Sequence, residues 1–258
     1  MGQDGLASDW PAGVDRVILE EVDSTSLEAA RRAPAIPTWI MARSQTAAKG
    51  RRGRAWSMPK GNFAASLVWQ PPGGPAEMAL RSFTASLALH DTLTDLGVAG
   101  LSLKWPNDVL LNDCKLAGIL LECPAPGLLV MGIGINLIAA PDAGQVEPGA
   151  VAPISLLEAT GLRVEPSTLL GRLARAFAER EAQFITWGFG PIRQDWMRYA
   201  ARVGHPMTAR LPGETVHGVF TDVDGDGHLI LKTDAGVRHI TAGDVFFDTR
   251  QAKVPTCS

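Results

Sequence analysis

Residues 104–122 read KWPNDVLLNDCKLAGILLE, and this stretch predicts strands that are separated by a tight turn. The apolar segments 109–111 and 118–122 flank the pair Asn112-Asp113, which is typical of a short hairpin connection. Segments 101–105 and 128–135 continue the strand pattern on either side. We therefore expect a run of four strands with short connections at the centre of the chain.

The N-terminal part of the sequence predicts strands that alternate with helices. Ser24 or Thr25 is a candidate N-cap for a short helix that ends near Arg32, and Glu28 is placed for a capping box. Apolar residues at helical spacing predict a long helix that stops before Gly97. The expected strands are 16–22, 38–43 and 62–69, and the expected helices after the central strands are 155–160, 166–186 and 190–200.

From Gly204 onward the sequence changes to short strands and tight turns. About 55 residues of this kind indicate a small β-barrel that is appended to an α+β domain. A length of 258 residues fits one large domain and one small one. We therefore predict an α+β fold in which residues 1–203 form the large domain and residues 204–258 a C-terminal domain.

The composition is that of an ordinary globular protein. Hydrophobic residues make up 46% of the chain and the net charge is −3, which argues against disorder and against strong attraction to nucleic acid or anionic lipid. The N-terminus lacks the basic segment of a signal peptide, Leu6 breaks the myristoylation pattern, and Cys257 is misplaced for prenylation. The longest apolar stretch, 128–140, is too short to span a bilayer, so a cytoplasmic protein is expected.

The spacing of ligand-type residues assigns no metal ion. The three cysteines contain no CxxC pair, and the five histidines form no HxH or HExxH motif. The series Asp222, Asp224, Asp226 and Gly227 matches the opening of an EF-hand loop, but Thr233 stands where the loop needs glutamate. Because strands are predicted on both sides, we interpret this segment as a hairpin turn.

Residues 43–60 are the most basic part of the chain, with six cations and no acid. Gly50 and Gly53 lie among these cations, where glycine lets backbone N–H groups approach a phosphate and arginine offers forked donors. A solvated loop or a nucleic-acid patch would have the same composition, and no P-loop motif is present. Since no acid is close in sequence, we expect residues 49–54 to be mobile until a phosphate orders them.

Three further positions carry polar groups in or beside apolar strands. Pro106 fixes the backbone between Lys104 and Asn107-Asp108, which suits pre-positioned side chains but also a solvated hairpin corner. Lys115 is either a charge that protects an edge strand or a cation directed at an acyl or phosphoryl oxygen. Asn136 follows a GxG pattern without the third glycine of a dinucleotide site, so it is either a satisfied structural residue or reads a base.

In this order, the motifs resemble the biotin protein ligases, which attach biotin to carboxylase carrier domains. The resemblance extends from about Glu21 to Phe247, and its KWPND and KxAGIL blocks are highly specific at this spacing. Lipoate ligases or octanoyltransferases of the same fold are the nearest alternative, but they lack the combination of KWPND with GRRGR. A non-catalytic nucleic-acid binder is the alternative from another class. The matching residues are Asp23-Ser24-Thr25, Gln45, 50–54, Trp56, 104–108, 115–122 and 132–136.

The resemblance implies a catalytic domain similar to class II aminoacyl-tRNA synthetases, with a mixed sheet, and a C-terminal SH3-like barrel. It implies that the biotin carboxylate attacks the α-phosphorus of MgATP, giving biotinyl-5′-AMP and pyrophosphate. A lysine amine of a biotin carboxyl carrier protein then takes the biotinyl group and releases AMP. Biotin, ATP, Mg²⁺ and the carrier domain are the implied ligands and partners, with a homodimer as one possible assembly. Because 22 residues precede Asp23, no winged helix and no DNA partner are expected.

The resemblance also implies roles for individual residues. Lys115 would contact the biotin carboxylate and the acyl phosphate, Asp108 would orient or deprotonate the carrier lysine, and Arg51 would assist catalysis. The family motif usually reads GRGRRGR, and here Ala48 and Lys49 depart from it, so Lys49 lacks the bidentate fork of arginine. The residues implied for biotin are Ser24, Thr25, Ser26, Gln45, Arg51, Arg52, Gly118 and Lys115. Those implied for the nucleotide are Arg54, Trp56, Lys104, Asn107 and Asn136.

Overall fold

The computed structural model describes residues 10–142, 144 and 146–247. The predictions that concern Leu6 and Cys257 fall on residues outside these ranges. Two β-sheets and five α-helices make up the described part of the chain. None of the helices in these ranges is long and apolar enough to cross a membrane.

A seven-stranded mixed sheet forms the larger part of the molecule. Its order is β1-β2-β3-β7-β6-β5-β4, in which β1 and β2 are parallel and the other neighbours are antiparallel. The strands are β1 (Asp15–Val22), β2 (Thr38–Gln45), β3 (Phe63–Trp69), β4 (Leu101–Lys104), β5 (Asp108–Leu111), β6 (Cys114–Ala125) and β7 (Leu128–Ile135). The predicted central run of strands is confirmed, and Asn112 and Asp113 form its turn with φ values of 50° and 64°.

Helices cover both faces of this sheet because its central strands are apolar on both sides. Every residue of β3 is buried. One face packs against the long helices through contacts such as the edge-to-face pair of Trp69 and Phe177, whose ring centroids are 5.7 Å apart. The other face packs against Ala29 of the first helix. The helices are α1 (Thr25–Arg32), α2 (Pro75–Asp95), α3 (Leu156–Thr160), α4 (Pro166–Trp187) and α5 (Phe189–Tyr199).

Helix α1 has the predicted C-terminal end but not the predicted capping box. Ser24 is the N-cap residue and has an extended backbone, yet its side chain makes no capping hydrogen bond. The carboxylate of Glu28 instead pairs with Arg31 and Arg32, each at 2.7 Å. With Ser24 as N-cap, the position that a capping box needs is Leu27, so Glu28 lies one residue too far along and its oxygens bind the two arginines three and four residues ahead. The capping-box prediction is therefore wrong.

A five-stranded antiparallel sheet forms the C-terminal part, with the order β11-β10-β9-β8-β12. Its strands are β8 (Pro206–Leu211), β9 (Glu214–Val223), β10 (Leu229–Thr233), β11 (Gly236–Ile240) and β12 (Asp244–Phe247). The segment that resembles an EF-hand opening is the β9–β10 hairpin turn, as predicted. Asp222, the first position of the supposed calcium loop, binds Arg193 instead.

The two sheets meet at the KWPND segment and at the basic segment 43–60, which we call the basic loop. The Trp105 indole donates a hydrogen bond to the carbonyl of Gly227 in the β9–β10 turn at 2.9 Å. Gly227 has a φ of +81°, and a Cβ there would lie 2.7 Å from Leu80 of α2, so glycine allows the turn to dock closely. Strand β12 lies beside the basic loop, and this arrangement places both sheets around one cavity.

Candidate active site

A cavity of about 640 Å³ lies between the large sheet, the basic loop and β12. This volume is within the range of small-molecule sites. Arg52 is the one residue of the predicted set that does not line the cavity, because its guanidinium turns to Asp244. The cavity brings together the others, which are Ser24, Thr25, Ser26, Gln45, Arg51, Arg54, Trp56, Lys104, Asn107, Asp108, Lys115, Gly118 and Asn136.

Glycines on the central strands form a flat wall of the cavity. Gly118 of β6 pairs with Gly134 of β7, and Gly132 pairs with Ser66 of β3. The Trp56 indole lies against this wall, so that a Cβ at Gly134 would be 2.7 Å from its Nε1 and a Cβ at Gly118 3.2 Å from its ring. Gly118 and Gly134 therefore let an aromatic ring approach the strands, whereas a Cβ at Gly132 would lie 2.6 Å from the Ser26 hydroxyl.

One end of the cavity is a chain of uncharged polar groups. The backbone N–H and the hydroxyl of Thr25 donate to Gln45 Oε1 at 2.7 and 3.2 Å. The Ser66 hydroxyl donates to Thr25 Oγ1 at 2.9 Å, and Ser26 Oγ lies 3.1 Å from Ser66 Oγ. Since hydroxyls both donate and accept, this end suits a neutral ligand that presents both kinds of group.

A charged cluster lies where β4, β5 and β6 begin or end. Asp108 Oδ1 is 2.6 Å from Lys115 Nζ, and Asp108 Oδ2 is 3.7 Å from Lys104 Nζ. Burial by itself would raise the pKa of Asp108, but Lys115 and Lys104 outweigh it and hold that pKa below its ordinary value. Burial is the largest effect on Lys104 and lowers the pKa of its ammonium group. The cluster therefore contains a stable carboxylate between two lysines.

The basic loop folds into a small hairpin around a single 3₁₀ turn, Arg51–Gly53. Lys49 and Ala55 form an antiparallel bridge, and the Trp56 N–H donates to the carbonyl of Ala48 at 3.0 Å. Gly53 has a left-handed φ of +72°, whereas Gly50 is extended with φ −101°. The conformational freedom expected of glycine is used at Gly53 and not at Gly50.

Two acids from distant parts of the chain pair with the arginines of the basic loop. Asp244 binds Arg52 at 2.7 Å, also binds Arg54, and lies 3.7 Å from Arg51. Glu147 binds Arg54 at 3.1 Å. No acid is close to these cations in sequence, but the fold supplies acidic partners from about 90 and 190 residues further along the chain. Whether residues 49–54 are mobile stays a prediction.

Two asparagines fix the backbone around the charged cluster. Asn107 accepts a hydrogen bond from Arg51 at 3.3 Å and donates to the carbonyl of Ile119. Asn136 is 2% exposed and its amide nitrogen donates to the carbonyls of Ile154 and Lys115, at 3.2 and 3.5 Å. Its Oδ1 has no hydrogen-bond partner in the described part of the chain. Asn136 is thus held by the protein through its amide nitrogen, and its buried Oδ1 is left unsatisfied.

Sequence reasoning missed two acids that line this cavity and one hydroxyl behind its lining. Glu147 and Asp244 supply the negative charge opposite the basic loop, and the buried Ser66 completes the hydroxyl chain. Ser66 had a local signal, since it is a polar residue in an otherwise apolar strand. The two acids lie in ordinary loop and strand sequence, so no local pattern marked them.

Two known protein-family models match this chain, one in its N-terminal half and one at its C-terminal end. Residues 21–136 match the model of the biotin/lipoate A/B protein ligase family, and residues 204–248 match the biotin protein ligase C-terminal domain. The chain is 49% identical over 238 residues to a biotin–[acetyl-CoA-carboxylase] ligase of Paracoccus denitrificans, covering 89% of this chain and 99% of that protein. It is 30% identical to the bifunctional ligase/repressor BirA of Bacillus subtilis, covering 88% of this chain and 71% of the relative.

The fold is similar to that of a biotin protein ligase from Aquifex aeolicus that was solved in complex with biotin and ATP. The TM-score is 0.81 at 22% identity, with 91% of this chain and 99% of the other covered. Both the sequence relatives and the C-terminal match favour the biotin ligases over the lipoate enzymes of the same broad family. The chain therefore belongs to the biotin protein ligase family.

Proposed function

We propose that this protein is an ATP-dependent ligase that joins biotin to a lysine of a biotin carboxyl carrier protein. The observation that carries the proposal is one cavity that combines a neutral hydroxyl-lined end with the Lys115–Asp108–Lys104 cluster. Biotin has the same two parts, a neutral ureido ring and a carboxylate. The named relative from Paracoccus denitrificans supports the assignment of substrate and acceptor.

Biotin would lie with its ureido ring among the hydroxyl groups and its carboxylate toward Lys115. The ring has one carbonyl acceptor and two N–H donors, which Ser24, Thr25, Ser26 and Gln45 can match. The backbone near Arg51 and Gly118 would close the pocket beside the ring. Since Arg52 faces Asp244 and not the cavity, any contribution from Arg52 would come from its backbone.

In the first half-reaction, a biotin carboxylate oxygen attacks the α-phosphorus of ATP. A new P–O bond forms, the bond to the bridging oxygen breaks, and pyrophosphate leaves with the electron pair. A carboxylate must approach a polyanion, so nearby cations lower the barrier by offsetting repulsion in the transition state. Lys115 and Arg51 would supply these charges at the reacting atoms, and Arg54 at the phosphates.

In the second half-reaction, the carrier lysine amine attacks the carbonyl carbon of biotinyl-5′-AMP. The C–N bond of the amide forms, the C–O bond to the phosphate breaks so that AMP leaves with its electron pair, and the proton of the amine nitrogen passes to solvent. Asp108 would accept a hydrogen bond from that amine, at the oxygen that Lys115 contacts in this structure. Because the pKa of Asp108 is lowered, its carboxylate would orient the amine more effectively than it would remove the proton.

The adenylate would be held by groups on the glycine wall. Asn136 Oδ1 can accept a hydrogen bond from the adenine amino group, since its amide nitrogen is already engaged. Trp56 provides a flat ring, and Lys104 and Asn107 support the phosphate side of the cavity. Coverage by the basic loop would keep water from the mixed anhydride.

We propose Mg²⁺ only as an ion that would be bound by the phosphates of ATP. The carboxylates that line the cavity are Asp108, Glu147 and Asp244, and each is engaged by lysine or arginine. This donor set does not form a dedicated magnesium cage. We therefore assign no protein ligand to the ion and derive no step through it.

The finer features of the fold belong to the same proposal. A catalytic domain over residues 1–203 that is related to class II aminoacyl-tRNA synthetases is supported by the mixed sheet with its packed helices. An SH3-like domain over residues 204–258 is supported by the short antiparallel strands and by the family match at 204–248. A homodimer is part of the same proposal.

Release of pyrophosphate that requires both biotin and ATP tests the first half-reaction. Transfer of labelled biotin to a carrier domain, with a carrier whose target lysine is replaced by arginine as the control, tests the second. Equal activity with lipoate or octanoate in place of biotin would assign the chain to the related enzymes. Salt-sensitive DNA binding without pyrophosphate release would instead identify a nucleic-acid binder.

A further inference from the structure

Asp224, His228 and His239 converge on one point at the edge of the C-terminal sheet, away from the cavity. Asp224 Oδ2 lies 3.2 Å from His228 Nδ1 and 2.7 Å from His239 Nδ1. The three ligand-type atoms lie within 4.8 Å of one another. Sequence spacing gave no sign of this group, because His239 reaches it through the pairing of β10 with β11, opposite Ile230.

The Asp224 carboxylate is fixed by the backbone before any ligand is considered. Its Oδ1 accepts the N–H groups of Asp226 and His228 at 3.0 and 2.9 Å. The N–H of Asp224 donates to the carbonyl of His228 at 2.9 Å, which closes the turn. One carboxylate oxygen is therefore used to hold the turn, and the other is directed at the two imidazoles.

The separations within this group are close to those of atoms that share a metal ion. Zinc binds histidine nitrogen and carboxylate oxygen at about 2.0–2.2 Å, so two ligands of a tetrahedral site lie about 3.3 Å apart. The observed 2.7 and 3.2 Å would have to lengthen by about 0.6 and 0.1 Å, and the three ligand atoms already lie within 4.8 Å of one another. His239 is exposed and lies on the edge strand β11, which allows such a movement.

We propose that Asp224, His228 and His239 bind a divalent transition-metal ion of the zinc class. Nδ1 of each histidine and Oδ2 of Asp224 would be the protein ligands, and water would complete the coordination. Each imidazole would carry a proton on Nε2, because Nδ1 needs its lone pair for the metal ion. Two nitrogen donors favour such an ion over calcium or magnesium, which prefer oxygen.

The ion would tie the edge strand β11 to the β9–β10 turn. That turn is the one whose Gly227 carbonyl receives the Trp105 indole of the KWPND segment. A metal ion at this place would therefore stabilise the docking of the C-terminal sheet on the large sheet. The metal-site proposal does not depend on the proposed ligase chemistry.

The test measures zinc binding to the tag-free, metal-stripped full chain by equilibrium dialysis, with the visible spectrum of bound Co²⁺ as a second readout. His239→Gln removes one ligand, and Asp224→Asn keeps the acceptor for the turn while removing the charge. His217→Gln is the matched control, because His217 is another exposed histidine of the same sheet and contacts Thr208. Circular dichroism establishes that each variant is folded.

We expect one ion per chain in the wild type and in His217→Gln, with a rise in melting temperature when Zn²⁺ is added. Loss of an outer-shell partner alone weakens metal sites by about 10- to 100-fold, so loss of a ligand should weaken binding by about 100-fold. Absence of binding in the wild type would overturn the proposal. Equal binding in wild type, His239→Gln and Asp224→Asn would overturn it as well.

Discussion

Replacement of Asp244 by asparagine should open the basic loop of the ligand-free protein. The Asp244 carboxylate is buried and is shared by Arg52 and Arg54, with Arg51 at 3.7 Å. Asparagine keeps the size of the side chain but removes the charge, so the guanidinium groups lose their common anion. The closed arrangement of residues 49–54 then loses stability relative to arrangements in which the arginines reach solvent.

The size of this effect follows from the exposure of the groups involved. Arg52 and Arg54 are 44% and 49% exposed, so solvent screens each pair, and exposed pairs contribute about 0.2–1 kcal/mol. Two such pairs on one buried carboxylate give a loss of about 1.5 kcal/mol. Since 1.4 kcal/mol is a tenfold change in an equilibrium, the open population should rise about tenfold.

Limited trypsin digestion measures this population, because trypsin cleaves after the lysine and arginine residues of the loop and needs a flexible segment. Asp244→Asn should be cut within residues 49–54 about ten times faster than wild type. Glu147→Gln is the control, since Glu147 contacts Arg54 but neither Arg51 nor Arg52. Biotin with ATP should protect wild type and Asp244→Asn from cleavage, because the ATP phosphates supply the anion that the Asp244 carboxylate no longer provides in the variant. Cleavage of Asp244→Asn at the wild-type rate would refute the reasoning.

Three further predictions concern the charged cluster. Lys115→Ala should reduce biotin- and ATP-dependent pyrophosphate release about 100-fold, equal to about 3 kcal/mol. The control variant Lys60→Ala, at an exposed lysine, should leave this rate unchanged. Near-normal pyrophosphate release from Lys115→Ala would contradict the assignment. Asp108→Asn should slow transfer from purified biotinyl-5′-AMP to the carrier, and transfer at wild-type speed would exclude Asp108 as the partner of the amine. Because Lys115 and Lys104 lower the pKa of Asp108 below 3.8, protonation of Asp108 should not limit transfer between pH 7 and 5. Lys115→Ala should move the acidic limb of the transfer profile to higher pH, since burial then raises this pKa with less opposition, and an unmoved limb would argue against the pair.

The central strands and most of the cavity wall could be predicted because their signals are local. Alternating apolar residues predict strands, and Asn112-Asp113 tolerates the positive φ of a tight turn. The KWPND block ends at Asp108, the first residue of β5, and the KxAGIL block lies on the neighbouring antiparallel strand β6, so Asp108 pairs with Gly118 in register. Short hairpin connections bring such blocks together with little ambiguity.

Features that depend on side chains from distant segments could not be predicted. A capping box between Thr25 and Glu28 was consistent with the local sequence, but the helix has Ser24 as its N-cap, and Arg31 and Arg32 compete for the Glu28 carboxylate. The sequence correctly predicts that the basic loop is cationic. Its partners Glu147 and Asp244 lie in distant segments, and no sequence pattern indicates that they pair with the loop. Ion pairs over such separations follow from the packing of the two sheets and not from a pattern in the chain.

The pairing of the loop also bears on how the cavity would recognise ATP. Five cations and three acids line the cavity, namely Lys49, Arg51, Arg54, Lys104 and Lys115 with Asp108, Glu147 and Asp244, so the lining carries a small net positive charge. Under the proposed function, a phosphate chain must exchange places with carboxylates that already hold the arginines. A ligand with a single negative charge gains little from this exchange, because it replaces one anion by another. A polyanion that spans several cations gains more, so the acidic partners would favour ATP over small anions.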